Sequence, residues 1–318
     1  MTYARKSVLL LGATGTIGRA TYAALVAAGH DVIAPVRAGA DASDLPLAIP
    51  CAMTRPAIAS LIAERSCEAI ISCIASRNGV AADAWAVDHG LNSAALAAAI
   101  GQDVGQFVML SAICVQKPKL AFQQAKLAFE SELQAAPIAW SIVRPTAYFK
   151  SLSGQLARLR RGKPFLLFGD GELTACKPIS NDDLARFLVQ CLDNLDCQNR
   201  ILPVGGPGPA ITPRAQGQML FRALGQTPRF KHVPVAMMSA IIAGLSPLGR
   251  IIPSLRQKAE LARIGRYYAT ESMLVWDAAA GRYDTAATPE FGTETLADHY
   301  RRLAGQNPVD DRGDHAVF

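Results

Sequence analysis

The apolar positions of this chain come in two rhythms. Short, nearly unbroken runs recur at "SVLLL" (7–11), "DVIAPVR" (31–37), more weakly near 47–51, then at "EAIISCIAS" (68–76), "QFVMLSA" (106–112) and "AWSIVRPTAYF" (139–149). Runs of that length and continuity suit strands buried on both faces, as parallel strands are. Between them lie longer segments with helical spacing: "GATGTIGRATYAALVAAGH", stopped at Gly29, "RPAIASLIAER", "DAWAVDHGLNSAALAAAIGQ" (83–102) and "KLAFQQAKLAFESELQAA" (119–136). Strand–helix alternation predicts an α/β fold, a Rossmann-type doubly wound parallel sheet with helices on both faces.

Beyond about residue 150 the rhythm loosens. "SGQLARLRRG" reads as helix, and "PFLLFGDGELTACKPIS" as a strand, a D-G turn and a second strand. "NDDLARFLVQCLDN" reads as a helix with an Asn or Asp cap, "RILPVGGPG" as a strand and "TPRAQGQMLFRALG" as a helix. The expected division is a nucleotide-binding domain over 1–150 and a smaller mixed α/β substrate lobe over 151–304, partly interleaved with it. A polar tail over 305–318 is expected to be disordered.

Composition narrows the classes. With 318 residues, 50% of them hydrophobic and only 18% charged, the chain can bury a large core and is not a disordered, solvating protein. The net charge of +6 is spread out, and "RLRRGK" (158–163) lacks the interleaved aromatics of a nucleic-acid surface. An anionic small molecule fits that balance, and neither nucleic acid nor an obligate protein partner is expected. The seven Cys show no C-x-x-C spacing and sit mostly in apolar runs, so reduced thiols in a cytoplasmic protein, and no metal site, are expected. The stretch "VPVAMMSAIIAGLSPLG" (233–249) is 17 residues without a charge, but prolines interrupt it and it falls short of a bilayer crossing. An apolar helix over a hydrophobic pocket, touching a membrane surface at most, is the expectation for 233–252.

The glycine loop carries the first chemistry. Gly12, Gly15 and Gly18 form G-x-x-G-x-x-G between a strand and a helix, so the backbone from Gly12 through Ala13, Thr14, Gly15, Thr16, Ile17 and Gly18 would wrap a dinucleotide pyrophosphate at the helix N-terminus. The second strand ends in Arg37, with no acid before Asp41, and Arg19 follows the loop. An Arg at that place suits a ribose 2′-phosphate, which selects NADPH. Small residues Ala75 and Ser76 stand where the backbone would pass the cofactor ribose.

The glycine loop together with Ser111 and Lys126 resembles the short-chain dehydrogenase/reductase superfamily in its atypical, NmrA-like branch. "LSAICVQKP", "FQQAKLAFESEL", "SIVRPTAYFKSLSGQ", "GKPFLLFGDGELTACKPIS", "PVGGPG" and "IGRYYATESMLVWD" make the chain similar to NADPH-dependent 8-vinyl reductases of divinyl chlorophyllide. The similarity runs from the glycine loop to about residue 300. One departure is "IPCAMTRPA" (49–57), which lacks the Asp usual there for adenine. The resemblance implies reduction of the 8-vinyl group of a divinyl (proto)chlorophyllide to ethyl in chlorophyll or bacteriochlorophyll synthesis. It also implies catalytic Lys126 and Ser111, with Lys126 on the nicotinamide ribose and Pro145 and Thr146 beside the nicotinamide.

Phe122 stands four residues before Lys126, where the superfamily carries its acid Tyr. A vinyl reduction forms no alkoxide, so a phenol there is dispensable, and the proton can come from Lys126 or a bound water. Tyr148, Tyr267 and Tyr268 are alternative donors, and Asp88 and Asn92 weaker candidates. Phe122, Tyr148, Phe149, Phe168, Tyr267 and Tyr268, with Phe165, are expected to wall a flat apolar substrate, and an Arg or Lys at the rim to hold its carboxylate. Two alternatives stay open: a reductase of an aromatic enone in the same branch, and a non-catalytic NADPH-binding sensor or accessory subunit.

Overall fold

The computed structural model describes residues 5–77, 79–248 and 252–305. Its centre is a seven-stranded sheet in the order β3-β2-β1-β4-β5-β6-β8. The strands are β1 (Ser7–Leu11), β2 (Asp31–Val36), β3 (Ala48–Pro50), β4 (Ala69–Ser72), β5 (Gln106–Leu110), β6 (Ala139–Pro145) and β8 (Arg200–Val204), and every pairing is parallel. Strand order reverses on either side of β1, which opens a crevice between β1 and β4 at their carboxyl ends, the usual place for a dinucleotide.

Both faces of β1 are buried because its side chains alternate between two cores. Val8 and Leu10 pack with Leu25 of α1 (Thr16–Ala27) and with Leu184 and Leu188 of α8 (Asn181–Gln190). Leu9 and Leu11 pack with Ile58 and Ile62 of α2 (Arg55–Glu64), Leu96, and Phe129 and Leu133 of α5 (Ala121–Ala135). The unbroken apolar runs follow from this, since no strand face needs a polar residue.

On the α2 side, α3 (Ala81–Ala84) passes through a π-helical stretch, Trp85–Leu91, into α4 (Asn92–Ile100). The 83–102 helix is therefore present but wound unevenly, and the wide turn sets the direction of Asp88.

A smaller lobe follows β6, made of α6 (Phe149–Leu152), α7 (Leu156–Arg160), β7 (Phe165–Phe168), α9 (Pro213–Ala223), β9 (Phe230–Val233) and α12 (Leu296–Gly305). Its core holds Phe149, Phe165, Phe221 and Tyr300. Within the same stretch of chain, α8 and β8 return to the large sheet. The D-G hairpin does not form. β7 instead pairs in parallel with the distant β9, because the turn is held open by α9: Arg214 N–H donates to Gly171 O at 3.1 Å and its guanidinium to Asp170 O at 2.5 Å.

The apolar stretch forms α10 (Val235–Leu248), packed on α11 (Pro253–Thr270), and residues 249–251 lie outside the described residues. The short hairpin β10 (Val275–Asp277) and β11 (Arg282–Asp284) lies beyond α11. Among the described residues no helix is long and apolar enough to cross a membrane. Of the expected tail only Gly305, the last residue of α12, falls within the description.

Candidate active site

The loop after β1 is a cradle that side chains would fill. Gly12 takes φ +77°, and a Cβ on it would lie 2.8 Å from Cys73 O. A Cβ on Gly18 would lie 2.0 Å from Gly12 O, so the helix can approach the loop only as glycine. Gly15 caps α1 without a side-chain acceptor, which leaves the first-turn N–H groups directed at an incoming anion. Residues 12–18 thus fit a dinucleotide pyrophosphate. Lys150, from the smaller lobe, adds a cation there, its Nζ 3.3 Å from Thr16 Oγ1. Sequence spacing does not find Lys150, because 134 residues separate it from Thr16.

Arg37 is exposed on the lip of a shallow depression of about 370 Å³, lined also by Ala38, Pro50, Cys51, Ala52 and Met53. The depression lies at the carboxyl ends of β2 and β3, on the adenosine side of the crevice, with apolar Met53 in the segment that lacks an Asp. Arg19 is already engaged, donating to Thr14 O at 3.2 Å and Asp41 O at 2.9 Å and pairing with Asp44. Asp41 turns its carboxylate onto Ser43.

Across the crevice, α5 stacks Phe122, Lys126 and Glu130 at intervals of four, so the three share one face. Lys126 is 5% exposed, its Nζ 3.1 Å from Asp88 Oδ1 and 3.5 Å from Leu110 O. Asp88, 1% exposed on the π-helical turn, also accepts from Ser76 N–H at 3.4 Å. Asn92 donates to Asp88 O at 2.9 Å and accepts from Ser72 Oγ at 2.5 Å. A π turn re-aims side chains by its extra residue, and such turns gather at functional sites. Asp88 is thus the direct partner of Lys126, and Asn92 braces Asp88 from behind, roles that helical periodicity alone does not convey.

Ser111 lies in the same corner but its hydroxyl donates to Glu130, which is buried and also pairs with Arg144. The hydroxyl is spent on a buried ion pair, so a reacting role for Ser111 rests on the resemblance alone. Thr146 likewise donates to Lys177 O, next to buried Pro145 at the end of β6.

The expected wall divides into two. Phe122 packs into an apolar cluster of Ile113, Cys114, Leu120, Tyr267 and Met273. Phe149 and Phe165 are 2% and 1% exposed and belong to the interior of the smaller lobe, while Phe168, at the end of β7, is half-buried. Tyr267 shares its hydroxyl proton between Cys114 O at 2.8 Å and Lys117 O at 3.1 Å, which makes it a pin for that loop and removes it as a donor. Tyr268 meets it edge-on, centroids 5.7 Å apart, the residue 37% exposed and its hydroxyl turned in toward Cys114. Burial raises the Tyr148 phenol far above its ordinary range, with Cys73 and Cys114 beside it adding to the shift. Tyr148 is therefore a neutral phenol, and among the described residues no hydrogen bond engages its hydroxyl.

A family described as NAD(P)H-binding matches residues 12–195. The chain is 43% identical to the chloroplastic divinyl chlorophyllide a 8-vinyl-reductase of Zea mays, across 98% of this chain and 83% of that protein. Its counterpart in Arabidopsis thaliana is 42% identical, across 93% and 76%. Among solved structures, an NADPH-dependent quinone oxidoreductase of Escherichia coli in complex with NADPH superposes with a TM-score of 0.68 at 16% identity, covering 93% of this chain and 99% of that one. Leucoanthocyanidin reductase of Vitis vinifera bound to NADPH gives 0.68 at 14% identity, covering 94% and 100%. Those two share the fold.

Proposed function

The chain belongs to the divinyl chlorophyllide a 8-vinyl-reductase family, and from that premise we propose that it reduces the 8-vinyl group of 3,8-divinyl (proto)chlorophyllide a to ethyl with NADPH. The observation that carries this is an overall identity of 40–43% over alignments that cover 93–98% of the chain and so span the substrate half as well as the nucleotide half. The corner between Phe122 and Lys126 supports it chemically, because an apolar ring stands where a carbonyl reductase needs an acid.

NADPH, when bound, supplies a hydride to one vinyl carbon. The chain's own task is to hold the two reactants in register and deliver one proton to the other carbon. Residues 12–18 and Lys150 would hold the pyrophosphate and Arg37 the 2′-phosphate, with Arg19 bracing the adjoining loop. Ala75, Ser76, Pro145 and Thr146 would border the ribose and nicotinamide. Lys126, fixed by Asp88 and Leu110 O, would bind the ribose hydroxyls and pass the proton directly or through a water. A second source is favoured by a specific observation, the neutral, unengaged Tyr148 phenol near Cys73 and Cys114. Phe122 and Tyr268 would face the macrocycle, with Phe149 and Phe168 supporting that wall from behind. We treat 151–304, apart from α8 and β8, as the substrate lobe. A peripheral membrane contact would use α10, where Met237 and Ile241 are 48% and 45% exposed, and flotation with liposomes checks it.

The deciding experiment incubates the protein with NADPH and 3,8-divinyl chlorophyllide. The expected result is an 8-ethyl product on chromatography with a small blue shift of the Soret band. Absence of product from protein that binds NADPH would overturn the proposal in favour of a non-catalytic sensor.

A further inference from the structure

We propose that Lys119, backed by Lys117, is the subsite for the propionate carboxylate of the macrocycle. This rests on the function proposed above and assigns the end of the pigment that does not react. Glu271, at the end of α11, has a side chain only 7% exposed, and two ammonium groups converge on it. Lys117 Nζ is 2.8 Å away, Lys119 pairs with the other oxygen, and Tyr283 donates its hydroxyl at 2.6 Å. Burial alone would raise the Glu271 carboxyl, but the hydrogen bonds from Lys117, Lys119 and Tyr283 outweigh it and bring it down to about 2. Two cations on one permanently ionised carboxylate leave one positive charge in surplus.

The two lysines are not equivalent. Lys117 lies over the Trp276 ring, 4.1 Å from its centroid, and its side chain is 27% exposed. The Lys119 side chain is 58% exposed and so is the one able to take a second anion. Its backbone is already ordered: Gln123 Oε1 accepts from Lys119 N–H at 2.7 Å and from Leu120 N–H at 2.9 Å. The adjoining loop is pinned by Tyr267 and by Gln116, whose side chain bonds Leu274 O at 2.5 Å and Trp276 N–H at 2.8 Å. Little ordering would remain to be done on binding.

Position matches the shape of the substrate. Lys119 lies two residues before the start of α5 and seven before Lys126, about 10–14 Å along the chain, with Phe122 between them. In the macrocycle the pyrrole ring bearing the 8-vinyl group is diagonally opposite the ring bearing the propionate. A pigment with its vinyl group at the Lys126 corner, lying across Phe122 and its cluster, therefore brings its carboxylate toward Lys119. A charge-assisted bond there fixes which vinyl group meets the nicotinamide, since the 3-vinyl group sits on a different ring.

The test is a binding titration, read by tryptophan quenching, of divinyl chlorophyllide as free acid and as methyl ester. It is run on the wild-type protein and on Lys119→Gln and Lys119→Arg. Wild type is expected to prefer the acid about tenfold, a preference lost in Lys119→Gln and recovered in Lys119→Arg. A purely structural role for Lys119 would weaken acid and ester alike, and that result, or a wild type indifferent to esterification, overturns the subsite. Turnover is scored separately: a pigment bound with the acid preference but never reduced would refute the reaction and leave the subsite standing.

Discussion

The cofactor loop and the corner around Lys126 face each other across one crevice, yet different atoms build them. Between residues 12 and 18 the work is done by backbone, and what matters is missing side chains, since a Cβ at Gly12 or Gly18 would collide with carbonyl groups of the same loop or of Cys73 just after β4. Around Lys126 the parts are mainly side chains, drawn from the π-helical turn, α5, β6 and α11, joined by one backbone carbonyl at the end of β5. A backbone cradle tolerates almost no substitution at Gly12 or Gly18. A side-chain corner can lose or exchange a member and still fold, which is how a phenylalanine can occupy the acid's usual place.

Five substitutions probe that contrast, from the largest effect to the smallest. Gly18→Ala places a Cβ 2.0 Å from Gly12 O, so NADPH binding should be abolished in a fluorescence titration and thermal stability should fall by about 1–3 kcal/mol. Near-normal binding would show that the loop can relax. Next comes Lys126→Ala, expected to lower kcat by about 10²- to 10⁴-fold in single-turnover assays. Its companion Tyr148→Phe discriminates the proton source: if the phenol variant alone loses turnover, Tyr148 is the donor and Lys126 only positions the ribose. Arg37→Gln should weaken NADPH about tenfold and leave NADH affinity as it was, because only the 2′-phosphate contact goes. An equal loss for both cofactors would place Arg37 elsewhere. Smallest is Phe122→Tyr, which should change turnover less than twofold; a large gain would mean that the reaction lacks an acid at that point.

The buried ion pairs on α5 add a second contrast within one helix face. Lys126 with Asp88 lies on the crevice, whereas Glu130, one turn on, is consumed by Arg144 and Ser111. Both are charged residues at helical spacing on one helix face, so nothing in their local pattern separates the one on the crevice from the one that braces the sheet. The difference is made by what each meets in space, and Ser111 illustrates it: its place after β5 is plain from the sequence, but its hydroxyl points to Glu130. The smaller lobe repeats the lesson. Phe149 and Phe165 read as wall residues until their burial assigns them to the interior, and the D-G hairpin reads as local until α9 takes its carbonyls.

By itself the sequence determined the doubly wound sheet, the glycine cradle, the Arg at the end of β2 and the loss of the acid at Phe122. Each is encoded within one element or one turn, through periodicity, steric allowance or a single side chain at a fixed place. Tertiary structure alone decided that Lys150 meets Thr16, that Asp88 meets Lys126, that Tyr267 is a pin, and that Lys117 and Lys119 share Glu271. All but one of these join residues more than a hundred positions apart, and the Asp88–Lys126 pair depends on the wide turn before α4. Such contacts follow from how packed elements set their side chains against one another, and no local pattern records that.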